Sequence, residues 1–82
     1  MTEVHVTAED IANGQKGECL LCPVALAMDR AFCCNDIWVG GYGYSRDGIK
    51  GEWRPLPFAV KIFVTHFDAG HPVEPFTFTI ED

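Results

Sequence analysis

Hydrophobic and polar positions change period several times along this chain, and each change marks an element. Val4 and Val6 alternate with Glu3 and His5, the two-residue period of a half-buried strand over positions 1–7. T-A-E-D follows, a capping-box-like start in which Asp10 stands where Glu or Gln is usual, and Gly14 can close the turn. This predicts a very short helix, Ala8–Asn13, then a loop over 15–21. Pro23 suits a first helical position, where a missing N–H leaves no bond unmade. Val24, Ala25, Leu26, Ala27, Met28 and Ala31 make positions 24–32 apolar nearly all round, the pattern of a central buried helix.

Asn35 and Asp36 stop that helix, and Ile37, Trp38 and Val39 open a strand of β-branched and aromatic residues. Asp47-Gly48 is the best hairpin turn in the chain, with arms at 42–46 and 49–54. Gly40, Gly41, Gly43 and Gly51 weaken those arms or mark bulges, so an irregular, mobile ribbon is expected. Pro57 can open a second long helix. Its composition would suit a strand, but Val60, Phe63, Val64 and Phe67 sit at i, i+3, i+4 and i+7, and Gly70 followed by Pro72 supplies a stop. Phe76, Phe78 and Ile80 alternate with Thr77, Thr79 and Glu81, giving a last strand over 73–80.

The expected fold is therefore a single α+β domain over 1–82, ordered strand, short helix, helix, strand, strand, helix, strand. About four strands would form one antiparallel or mixed sheet with two main helices on one face, and a ferredoxin-like arrangement is the natural candidate. With 82 residues, 48% of them apolar, such a domain hides only about 60% of its unfolded surface, so its core is thin. Twelve acidic against six basic residues give a charge of −6, the wrong sign for direct nucleic-acid binding. No apolar run approaches a membrane span, and Glu3, Glu9 and Asp10 stand where a signal peptide would carry Lys or Arg; a soluble, cytoplasmic protein with reduced thiols is expected.

Four groups of residues could carry chemistry. Cys19 and Cys22 form a C-x-x-C entering the first long helix, able to present two sulfurs to one soft ion or to cycle as a thiol pair. In this element order the motif resembles the heavy-metal-associated domain of copper chaperones, which implies a copper or zinc carrier. It departs from that family in its long preceding insertion and in having Gly17-Glu18 before Cys19. The plain alternative is that Cys22 starts a helix and Cys19 is a small buried apolar residue. Cys33 and Cys34 cannot join them on one zinc, because a helix over 23–32 sets the pairs about 15 Å apart. His66 and His71 offer another pair of ligands, but Gly70 and Pro72 set them astride a helix C-terminus, where the dipole alone favours histidine.

G-G-Y-G-Y, positions 40–44, resembles part of the RNA-recognition signature, but the basic residue before it is missing and the net charge opposes the ligand. What remains is a concentration of Trp38, Tyr42, Tyr44 and Trp53, with Asp47 and Glu52, in a glycine-rich ribbon. Aromatics so placed anchor protein contacts, or else cover an open sheet edge. Ser45 is the sole serine, and no catalytic motif is legible, so no enzyme and no catalytic residue are expected.

H-V-T-A-E-D-I-A-N-G at 5–14, C-P-V-A-L-A-M at 22–28 and F-V-T-H-F-D-A-G-H-P-V-E-P-F-T-F at 63–78 look like segments of small phage- and prophage-encoded proteins of unknown function. The resemblance implies a phage origin and a place in the host cytoplasm, and it supplies no active site. A small acidic binder of a host protein fits such a protein best. One version is an anti-CRISPR-like inhibitor that meets a basic nucleic-acid-binding partner by charge complementarity, although the carboxylates here are scattered rather than set in a row.

Overall fold

The computed structural model describes residues 2–18, 20–33, 37–40, 43–46 and 52–80. Their elements run β1 (Thr2–Val6), α1 (Ala8–Asn13), α2 (Pro23–Phe32), β2 (Trp38–Val39), β3 (Gly43–Ser45), β4 (Trp53–Pro55), α3 (Phe58–Asp68) and β5 (Phe76–Ile80). The fold is α+β, as the periodicities predict, and the described residues form five strands in two antiparallel sheets rather than about four in one.

The first sheet pairs the two ends of the chain. Val4 faces Phe78 and Thr2 faces Ile80, and Val4, Val6, Phe78 and Ile80 all point into the core. Between them Glu3 faces Thr79 and His5 faces Thr77 on the wet side, where the His5 and Thr77 side chains hydrogen-bond at 3.0 Å. A one-residue slip would turn both apolar rows outward, so burial fixes this register. The second sheet is the meander β2-β3-β4. Among the described residues it does not pair with the first: a cleft of about 570 Å³, lined by Tyr44, Arg54 and Pro55 on one side and Thr79 and Ile80 on the other, lies between them. Pro55, at the end of the edge strand β4, has no N–H to extend a ladder.

The register of β3 and β4 departs from the expected hairpin. A two-residue turn at Asp47-Gly48 would set Ser45 opposite Lys50; instead Ser45 faces Trp53 and Tyr44 faces Arg54. Asp47 and Gly48 themselves lie outside the described residues, as do Gly41, Tyr42 and Gly51. Gly43 marks neither a bulge nor a weak point. It faces Pro55, and a Cβ placed on it would run into the Arg54 carbonyl.

α1 begins as read: the Thr7 hydroxyl accepts from Asp10 N at 3.1 Å, and the Asp10 carboxylate accepts from Thr7 N at 3.0 Å. Gly14 ends the helix in an extended conformation, φ −70°, not a left-handed one. Its missing side chain makes room for Pro23, whose ring carbons would stand 2.6 Å from a Cβ there. α2 buries Pro23, Val24, Ala25, Ala27 and Met28 and closes on Cys33 at φ 55°. The left-handed region suits glycine and strains most other residues by about 1 kcal/mol. Cys33→Gly is accordingly expected to raise stability by up to about 1 kcal/mol, read as a higher denaturation midpoint.

α3 buries Val60, Phe63, Val64 and Phe67, the predicted stripe. Pro57 precedes the helix as its N-cap instead of being its first residue. Both long helices and the inward faces of both sheets enclose one core, with Met28, Ile37 and Val60 fully buried.

Candidate functional site

The aromatic ribbon separates into inward and outward residues. Trp53 is 41% exposed on the edge strand β4, its indole covering Gly40, and Glu52 beside it is exposed. Trp38 is half-buried. Tyr44, expected as a free contact residue, is only 2% exposed and belongs to the core. It sits on the central strand of the meander, flanked by Val39 and Arg54, so both of its backbone edges are paired. Tyr42 and Asp47 lie outside the described residues. Of the expected contact residues that are described, Trp53 and Glu52 lie on the open surface.

A second outward surface lies on α3, on residues that the sequence patterns do not single out. Phe58 is 76% exposed and Ile62 41% exposed. They stand at i and i+4, on a face that the buried stripe leaves free. Two shallow depressions meet there and share Ile62 and His66. One of about 480 Å³ runs between α3 and positions 72–76, and the other, of about 200 Å³, is lined by Phe58, Lys61 and Thr65. The signal in the sequence was a helix apolar on two faces: one stripe accounts for the core, and Phe58 and Ile62 are surplus to it.

Cys22 is 3% exposed and caps α2, its Sγ accepting from Ala25 N at 3.4 Å. It fills the role of a helix start rather than an accessible ligand on a loop. Cys19 and Cys34 lie outside the described residues. Cys33 is exposed, and among the described residues no three of His, Cys, Asp and Glu gather as a metal-holding group.

The strongest polar arrangement ties elements together. The Asp10 carboxylate receives both guanidinium arms of Arg30, at 3.0 and 2.8 Å, and Arg30 also donates to the His5 carbonyl at 2.8 Å. One cluster thereby joins β1, α1 and α2. Burial pushes the Asp10 carboxyl up, but its hydrogen bonds to Arg30 and Thr7 and the charge of Arg30 outweigh that and hold it below the ordinary carboxylate value. Both carboxylate oxygens are engaged, so the pair orders structure.

No described helix is long and apolar enough to cross a membrane. No protein-family model, curated protein or solved structure matches this chain.

Proposed function

We propose that this protein is a non-enzymatic binding module that takes hold of a protein partner through the outward face of α3, with the exposed edge strand β4 as a second contact. The observation that carries the reading is Phe58, a large aromatic 76% exposed with Ile62 one turn further on and a shallow groove beside it. Aromatic anchors of this kind supply much of the energy of protein interfaces when a partner desolvates them. The net charge of −6 favours a partner with a basic surface, and a bacterial host protein is the partner we propose, on the resemblance of three segments to small phage proteins. A host nucleic-acid-binding protein, disabled in the manner of anti-CRISPR inhibitors, meets both conditions. Soft-metal carriage or thiol redox at Cys19 and Cys22 draws no support from Cys22, whose sulfur is buried in the helix start.

Capture from bacterial lysate with wild type, Phe58→Asp and Trp53→Ala in parallel tests the reading. A carboxylate in the first turn of a helix is favourable, so Phe58→Asp should fold normally. It is expected to weaken a salt-sensitive complex with one basic protein about tenfold or more, at least about 1.4 kcal/mol. Equal capture by wild type and both variants, or no specific capture, would refute the proposal.

A further inference from the structure

We infer that His66 and His71 form a two-imidazole site for a divalent transition-metal ion at the C-terminal end of α3. The backbone builds it. Ala69 keeps a helical conformation and Gly70 turns left-handed at φ 84°. Gly70 N donates to Phe67 O at 3.1 Å, and His71 N donates across the turn to His66 O at 2.9 Å. This closure sets the side chains three positions before and two after the helix end against each other, and a hydrophobic pair ordinarily occupies them. Here both are imidazoles, exposed, with ring centres 5.6 Å apart and planes tilted by 41°.

That separation suits chelation. Two imidazoles bound to one zinc through nitrogens about 2.0–2.1 Å from the metal have ring centres on the order of 5 Å apart, close to the 5.6 Å found here. Pro72 restricts the backbone of His71 to extended conformations, and the helix and its closing turn fix that of His66, so little backbone freedom is left to lose on binding. The ion's other positions stay open to water or a small ligand. Nitrogen donors of this number favour Cu²⁺, Ni²⁺ and Zn²⁺ over Mg²⁺ or Ca²⁺. One group opposes it: the Lys16 ammonium reaches to 3.3 Å from where a Cβ of Gly70 would stand, placing a positive charge beside the turn. Removing that charge should therefore tighten binding.

The site rests on observations separate from the proposed partner face and is tested without any partner. Zinc chloride is titrated into the full chain while imidazole signals are followed by nitrogen-15 NMR, which separates histidine binding from binding at cysteines. His5, held by Thr77 and Glu3, serves as the reference ring. His66 and His71 signals should move together and saturate. His66→Ala and His71→Ala should each weaken zinc binding at the remaining ring about tenfold or more, as expected when an intramolecular second ligand is lost. Lys16→Gln should strengthen it. Zinc that leaves both rings unmoved overturns the inference, as does a His66 response unchanged by His71→Ala in a variant with wild-type melting behaviour.

Discussion

Replacing Asp10 by alanine is expected to lower stability by about 3 kcal/mol, the combined loss of a helix cap and of charge-assisted hydrogen bonds to Arg30. For a domain of this size that is a fall of about 12 °C or more in melting temperature. The effect is large because one 5%-exposed carboxylate serves three elements: it caps α1 through Thr7, holds Arg30 on α2, and through Arg30 reaches the His5 carbonyl of β1. Arg30 itself is half open to water, so the Coulombic part alone is modest and the hydrogen bonds dominate. Asp10→Asn isolates the charge. The folded chain holds the Asp10 carboxyl below its ordinary value, about 3.9 in an unfolded chain, so its contribution is complete above that value and disappears as pH falls through the lowered one. The stability gap between wild type and Asp10→Asn should therefore narrow as pH drops below about 4. A constant gap from pH 7 to pH 2 in denaturant titrations would show that the ion pair contributes nothing to folding.

Gly43→Ala is expected to cost about 2–3 kcal/mol, near the upper range for overpacking, while Gly40→Ala, three residues earlier, should be neutral or stabilising by about 0.5 kcal/mol. The contrast comes from what a methyl group would meet. At Gly43 it strikes the Arg54 carbonyl, with the carbonyl carbon at 3.0 Å and Pro55 Cα at 3.5 Å, all backbone, so β3 and β4 must separate. At Gly40 it meets the Trp53 ring at 3.5 Å and the Gly43 carbonyl oxygen at 3.9 Å, both ordinary contacts. Equal denaturation midpoints for the two variants would mean that β3 and β4 are not registered with Gly43 opposite Pro55.

The helices were legible because their determinants are local. Thr7 and Asp10, three residues apart, specify the start of α1, and Val60, Phe63, Val64 and Phe67 specify the buried side of α3 whatever it packs against. The candidate site was legible only in part. Trp53 and Glu52 are outward as read, but Tyr44 is not, since exposure on a strand depends on which neighbours flank it. Phe58 and Ile62 were hidden in plain composition: an apolar residue on a helix reads as core until the core is seen to be full.

The sequence by itself determined which segments coil, where α1 and α2 start, and which stripe of α3 turns inward, because these follow from spacings of a few residues along one helix. Only the tertiary structure decided that the chain's two ends pair with each other, that the strands divide into two sheets, and that Ser45 meets Trp53. Those choices bring together residues of separate elements, whose pairing no spacing of a few residues along the chain specifies.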